Sequence, residues 1–126
     1  MKQLEIQKHI LSLSGTSLWE FLSELRNFPM LTIEEELELI HRIRKGGIEA
    51  ELASEALAKS YLRYIEAAAK EHEHQGVSLP ELLSHGITGL IRSTEKFDET
   101  RGFRFLSYTI WWIRQAMQNA ITRRNR

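Results

Sequence analysis

The stretch that decides the fold is residues 105–123, FLSYTIWWIRQAMQNAITR. At about 100° per residue, a helix over this stretch has two opposite faces. One face is aliphatic and suits packing against a core; it comprises Leu106, Ile110, Ile113, Met117, Ala120 and Ile121. The other, here called the aromatic–amide face, comprises Tyr108, Trp111, Trp112, Gln115, Gln118, Asn119 and Thr122. This second face needs its own explanation.

From the residues alone, two explanations of the aromatic–amide face stay open. Aromatic side chains at helical spacing are most often core residues, so the rings would pack against another helix. However, the opposite face is already aliphatic, and amides such as Gln115 and Gln118 cost free energy when buried without partners. The alternative is a nucleic-acid surface, on which bases stack on the rings while the amides contact base edges.

The charge of the C-terminal end favours nucleic acid. Residues 101–126 contain six arginines and no acidic residue, although the whole chain has a net charge of zero. Arg101 and Arg104 precede the aromatic–amide face, and Arg123 and Arg124 follow it. Such charges suit a phosphate backbone. A solvated helix end, whose basic residues stabilise the helix dipole, is the other explanation.

The rest of the chain predicts an all-α fold, a compact helical domain of about five helices. Two prolines and seven glycines among 126 residues leave long helical patterns. Capping boxes at Thr32 and Ser78 mark two helix starts. Residues 1–15 lack a firm pattern, and we expect a mobile tail there. Besides the helix from Phe105, we expect helices over about 17–26, 33–45, 48–74 and 79–96, with Leu52, Leu57, Leu62, Ile65 and Ala69 as core candidates of the third.

Composition argues against several classes of function. The chain has no cysteine, so it has no disulfide framework and no thiolate metal site. His72 and His74 would point about 200° apart on a helix, so they do not form a metal pair. No glycine-rich phosphate loop and no nucleophile–base arrangement is evident. We therefore expect no enzyme, no metal and no cofactor.

The chain also lacks the signals of a membrane protein. No apolar run approaches the ~20 residues that a membrane span needs. The N-terminal residues have no apolar segment typical of a signal peptide. We expect a cytoplasmic protein with no membrane partner.

Two motifs now indicate a family. Residues 97–105, FDETRGFRF, and 111–116, WWIRQA, closely resemble region two of bacterial RNA polymerase sigma factors of the primary, housekeeping type. The resemblance extends back to about residue 16, so that 16–126 would form sigma domain two. Residues 16–47 resemble the upstream region one-point-two, and 48–126 resemble region two. The short beginning of the chain is similar to that of Bacteroidetes sigma factors.

The resemblance implies promoter recognition and melting. Such a domain binds the RNA polymerase core, at the clamp helices of its largest subunit, and the minus-ten promoter element as single-stranded DNA. Tyr108 would stack on the flipped adenine at the second position of the element, in a pocket with Phe97, Arg101 and Phe105. The further implied DNA contacts are Trp111 and Trp112 at the fork, Gln115 and Gln118 at the first base pair, and Arg104 and Arg114 at the backbone.

The resemblance also implies protein partners, namely the polymerase core and an anti-sigma factor. The implied polymerase contacts are Glu81, Leu82, Ser84, His85, Ile87 and Ile91. Where the family usually has Gln, Glu and Asn, this chain has Ser84, His85 and Ile87. That departure motivates one alternative function, a sigma-like adaptor or competitor without initiation activity. A general single-stranded DNA binder is a second alternative.

Overall fold

The computed structural model describes residues 2–126, and these residues form an all-α structure, as the sequence predicts. They form six α-helices and one 3₁₀ turn, with no strand in this range. The helices are α1 (Glu5–Ser12), α2 (Gly15–Arg26), α3 (Ile33–Lys45), α4 (Gly47–Glu71), α5 (Leu79–Lys96) and α6 (Phe105–Arg124), and the 3₁₀ turn is Glu99–Arg101.

Local sequence signals correctly predicted several helix ends. Thr32 and Glu35 form a full capping box, with N–H to side-chain oxygen distances of 2.9 and 3.1 Å. The Ser78 hydroxyl accepts the N–H of Glu81 at 3.3 Å, at the start of α5. Gly46 follows the last residue of α3, as expected from the frequent use of glycine at helix C-termini.

The prediction of a mobile N-terminal tail was wrong for residues 5–12, which form α1. Met1 lies outside the described residues. Ile6 and Ile10 lie one turn apart on α1 and are both buried. The carboxylate of Glu55 accepts the N–H groups of Glu5 and Ile6 at 2.6 and 3.1 Å. Gln7 accepts the N–H of Leu4 at 2.8 Å, which is a local cap, whereas the carboxylate that accepts the next two N–H groups lies on α4.

The chain divides into two compact units, one ending at Arg63 and the other being Tyr64–Arg126. The boundary between the two units lies inside α4. In the first unit the Tyr61 hydroxyl donates to the carboxylate of Glu36, and both side chains are buried. Leu52, a core candidate, is 65% exposed, whereas Leu57, Leu62, Ile65 and Ala69 are buried as expected.

In the second unit, α5 packs along α6 at very short range. A β-carbon added at Gly89 would lie 2.6 Å from the backbone carbonyl oxygen of Trp112 and 3.0 Å from the β-carbon of Ala116. Only glycine allows this approach. Close by, the hydroxyls of Ser93 and Thr109 are 2.7 Å apart, and neither residue is exposed. This contact holds the backbone of α6 against α5.

The end of α6 is fixed to the loop that precedes α5. Arg124 donates to the carbonyl of Gly76 at 3.2 Å, and Asn125 donates to that of Gln75 at 3.1 Å. Gly76 has a φ of 96°, which side-chain-bearing residues rarely adopt. The α5–α6 pair is therefore held by different contacts at its middle, at Gly89, and at the C-terminal end of α6, at Gly76.

We expect Gly89→Ala to lower the free energy of unfolding by about 1–3 kcal/mol, because overpacking forces backbones apart. This loss would occur although alanine is the better helix former by about 1 kcal/mol. Urea unfolding followed by circular dichroism measures the change. Arg92→Ala, at an exposed position of α5, is the control and should stay within about 0.5 kcal/mol of the wild type. Equal or greater stability of Gly89→Ala would contradict the close approach.

Candidate nucleic-acid interface

The aromatic side chains around the start of α6 form one continuous cluster. The ring centroid of Phe97 lies 5.2 Å from that of Phe105 and 5.5 Å from that of Tyr108. Tyr108 lies 6.2 Å from Trp112, and Trp112 lies 5.9 Å from Trp111 with nearly perpendicular rings. All four distances are within the range that aromatic pairs prefer. The rings therefore fix one another's positions.

Exposure increases along this cluster. Phe105 and Phe97 are 1% and 5% exposed, Tyr108 and Trp112 are half-buried, and Trp111 is 60% exposed. A large ligand can therefore contact Tyr108, Trp112 and Trp111 directly. Phe105 is too buried to contact a ligand. It therefore acts by supporting Phe97 and, through Phe97, Tyr108.

The 3₁₀ turn before α6 brings two arginines to the surface. The Asp98 side chain accepts the N–H of Thr100 at 3.0 Å, which closes the turn. Arg101 and Arg104 are both exposed. The guanidinium carbon of Arg101 lies 5.9 Å from the ring centroid of Phe103, which is 61% exposed. The sequence prediction did not single out Phe103, although an aromatic residue between two arginines is a recognisable signal.

The amides of the aromatic–amide face are exposed. Gln115 donates from its side-chain nitrogen to the side-chain oxygen of Asn119 at 3.1 Å, and Gln118 is exposed as well. Tyr108, the tryptophans and these amides thus share one side of α6. Arg114 instead reaches the carboxylate of Glu71 at 3.4 Å. An exposed pair of this kind contributes little stability, so Arg114 stays available to an anionic ligand.

The implied polymerase contacts on α5 fall into two groups. Leu82 and Ile87 have no exposed surface, and Ser84 and Ile91 are 7% and 6% exposed. A direct contact with another protein is therefore open only to the remaining two, Glu81 and His85. The sequence analysis did not predict which of these residues are buried, because the implied set followed a motif and not a helix face.

The two accessible residues differ in their electrostatic surroundings. The Ser78 hydroxyl donates to the Glu81 carboxylate at 3.0 Å, and Arg124 donates at 2.6 Å. These two hydrogen bonds, in that order, lower the pKa of Glu81. The pKa of His85 is lowered as well, first by partial burial and then by the nearby Arg123 guanidinium. A lowered pKa favours the neutral form of the His85 imidazole.

Two other features are absent from residues 2–126. No helix in this range has both the length and the apolar character required to cross a membrane. In the same range, no three or more histidine or acidic side chains are grouped so as to hold a metal ion.

Comparison with known proteins identifies the family. Sigma-70 region 2 matches residues 57–126, a range that contains α5, α6 and every implied DNA and polymerase contact. The chain belongs to the Sigma-70 region 2 family. The resemblance to region two of sigma factors is thereby confirmed. In this Sigma-70 region 2 chain, the family match and the second structural unit cover nearly the same residues.

Curated relatives extend the similarity beyond the family match. RNA polymerase sigma factor SigA of Lactococcus lactis subsp. cremoris is 39% identical over 101 residues, which are 80% of this chain and 28% of the relative. SigA of Lactococcus lactis subsp. lactis (strain IL1403) is 39% identical and SigA of a Bacillus species 40% identical, each over 80% of this chain and 26% of the relative. The chain spans about a quarter of the length of these relatives.

Substitutions at the two ends of the aromatic cluster should lower stability by very different amounts. We expect Phe105→Ala to lower the free energy of unfolding by about 3–5 kcal/mol, because it leaves a cavity in the core. Trp111→Ala removes an exposed ring and should cost less than about 1 kcal/mol. Thermal and urea unfolding of both variants measure the difference. A loss at Trp111 as large as that at Phe105 would mean that the outer rings are core residues.

Proposed function

We propose that this chain recognises the minus-ten element of a promoter as single-stranded DNA and acts in transcription initiation together with the RNA polymerase core. The observation that carries the proposal is the graded aromatic cluster, buried at Phe105 and exposed at Trp111. The family supports the same reading, because three relatives are named RNA polymerase sigma factors. The protein would act in the cytoplasm, where that polymerase works.

The proposed activity is binding without bond chemistry. A surface that holds an unstacked strand more tightly than a duplex shifts the equilibrium toward the open strand. Stacking on an aromatic ring contributes about 1–3 kcal/mol per base. Extruding a base from a duplex costs a few kcal/mol. Stacking therefore offsets part or all of the cost of each extruded base.

We assign separate roles to the rings. Tyr108, half-buried against Phe97 at 5.5 Å, would stack on the second-position adenine, with Arg101 at the rim. Phe105 would position Phe97 and would not touch the base. Trp111 and Trp112 would hold the fork open, because two rings at 86° present one stacking plane and one edge.

The length of the aromatic–amide face suits a short stretch of DNA. Tyr108 and Gln118 are ten residues apart, which corresponds to about 15 Å along a helix. Stacked nucleotides follow one another at about 3.4 Å. Because an unstacked strand is more extended than this, the face accommodates at most about four nucleotides. Gln115 and Gln118 would contact the first base pair of the duplex, while Arg104 and Arg114 would contact its backbone.

For the polymerase, we propose docking on the accessible side of α5. The accessible residues there are Glu81, His85, Thr88 and Arg92. The buried Leu82 and Ile87 would act only by keeping the helix in place. The clamp helices of the largest subunit would lie on this surface, and an anti-sigma factor would compete for it.

A second candidate function is a sigma-like adaptor or competitor without initiation activity. It is favoured by the state of Glu81, the only acidic residue among the implied polymerase contacts, which is already bound to Arg124 at 2.6 Å. A charged group that is paired within the chain is less available to a partner. The two functions differ in polymerase binding and not in DNA recognition.

We expect Tyr108→Ala to weaken binding to a single-stranded minus-ten oligonucleotide by about 5- to 100-fold, which corresponds to the loss of one stacked base. Tyr108→Phe retains the ring and is the matched control, expected to bind within about threefold of the wild type. Fluorescence anisotropy with labelled oligonucleotides measures both affinities. Unfolding curves of the variants exclude loss of the fold as the cause.

The sequence of the oligonucleotide separates specific from general binding. We expect replacement of the second-position adenine to weaken wild-type binding and to have little further effect on Tyr108→Ala. Equal affinity for scrambled strands of the same length would favour the general single-stranded DNA binder and would refute promoter recognition.

We expect the chain to retain core RNA polymerase of its source bacterium in a pulldown. Thr88→Trp places a large ring in the middle of the accessible side of α5 and should reduce retention at least about tenfold. Ala67→Trp, at an exposed position of α4, is the control for a bulky surface residue. If the wild type discriminates the adenine but does not bind the polymerase, the adaptor function replaces the sigma function.

A further inference from the structure

A basic depression lies where the first turns of α5 meet the end of α6. Its volume is about 330 Å³, and it is lined by Val77, His85, Ala120, Arg123 and Arg124. Three of these five residues carry nitrogen donors, and no acidic residue is among them. Arg124 is about 160° around α6 from Tyr108, at 100° per residue. Arg123 is only about 60° from Tyr108, so the depression borders the aromatic–amide face at Arg123 and extends away from it at Arg124.

The two arginines of the depression are held differently. Arg124 is fixed by the Glu81 carboxylate at 2.6 Å and by the Gly76 carbonyl at 3.2 Å. Arg123 is exposed and forms no ion pair with any of residues 2–126. One guanidinium is thus preorganised by the fold, while the other is available to close on a ligand. Preorganised donors bind at a lower entropic cost than mobile ones.

His85 is surrounded by three arginines and one carboxylate that affect its pKa. Partial burial is the largest cause of its lowered pKa, and Arg123 is the next. Glu81 opposes the effect, while Arg124 and Arg92 add to it. The neutral imidazole retains one N–H donor. An anion in the depression would favour the imidazolium and would raise the pKa of His85.

We propose that this depression binds a phosphate group, held by Arg123, Arg124 and His85. The donors come from two helices and border one concave site, which suits the tetrahedral oxygens of a phosphate. A carboxylate is planar and has only two oxygens, which in Glu81 accept from Ser78 and Arg124 respectively. The phosphate belongs either to a small phosphorylated ligand or to a nucleic-acid backbone. The proposal does not depend on promoter recognition.

The test is a nuclear magnetic resonance titration of the 126-residue chain with inorganic phosphate, at an ionic strength held constant with sodium chloride. The reporter is the imidazole signal of His85, assigned by its absence in His85→Gln. We expect phosphate to raise the pKa of His85 and to leave those of the other histidines unchanged. Saturation of the shift with phosphate concentration gives the dissociation constant.

Three variants give the expected result its specificity. Arg123→Gln removes one charge-assisted hydrogen bond and should weaken phosphate binding at least about tenfold. Arg126→Gln removes the same charge outside the lining and should change binding less than about twofold. Glu81→Gln removes the negative charge beside Arg124, whose guanidinium the Gly76 carbonyl still holds at 3.2 Å, and should strengthen binding. Weaker binding by Arg123→Gln together with stronger binding by Glu81→Gln distinguishes a specific phosphate site from general attraction to a basic helix end.

Several results would overturn the proposal. If sodium chloride alone gave the same His85 shift, or if Arg123→Gln and Arg126→Gln weakened binding equally, the effect would be screening or non-specific attraction. Tighter binding of a glutamate-rich peptide than of phosphate would assign the depression to a protein partner instead. Adenine discrimination by Arg123→Gln is measured in parallel. If this variant still discriminates the adenine, a negative result concerns the phosphate site and not promoter recognition.

Two phosphate sources are compared in the same titration. A mononucleotide stands for a small phosphorylated ligand, and a short oligothymidine stands for a nucleic-acid backbone. Arg123-dependent binding of either one supports the site. The ligand that binds more tightly identifies the source of the phosphate group.

Discussion

The close approach of α5 to the backbone of α6 is the constraint on which the second unit depends. It requires glycine at position 89, where a β-carbon would lie 2.6 Å from the carbonyl oxygen of Trp112. The buried hydroxyl pair of Ser93 and Thr109, 2.7 Å apart, fixes the register of the same contact. A helix is rigid over this length. Fixing the backbone of Trp112 against α5 therefore determines the direction in which the whole aromatic–amide face points.

The aromatic cluster joins the core to this surface. Phe105 and Phe97 are buried, and they lie behind the half-buried Tyr108, which a base can reach. Rings that are locked by neighbours lose little further entropy when a base stacks on them. The proposed strand recognition therefore rests on a core that is rigid at the point of contact. On the α5 side, the basic depression is preorganised in the same way, because Glu81 and Gly76 already hold Arg124.

Much of the fold and part of the site were predictable, for identifiable reasons. The start of α3 at Thr32 depends on residues three positions apart, so local sequence contains it. The start of α1 combines a local contact between Leu4 and Gln7 with a contact to Glu55, fifty positions away, which local sequence does not predict. On α6 the 3.6-residue period separated the aliphatic side from the amides. The implied contacts on α5 were taken from a motif, which cannot tell the buried Ile87 from the accessible His85.

The sequence by itself determined the all-α class, most helix bounds, the two faces of α6 and the membership of a sigma-factor family. Periodicity, capping pairs and short motifs are local properties, and they survive without knowledge of any distant contact. Only the tertiary structure decided which rings are support and which are surface, that Glu81 is engaged by Arg124, and that His85 shares a depression with Arg123. The last two contacts join side chains about 40 positions apart in sequence, which only the packing of α5 against α6 brings together.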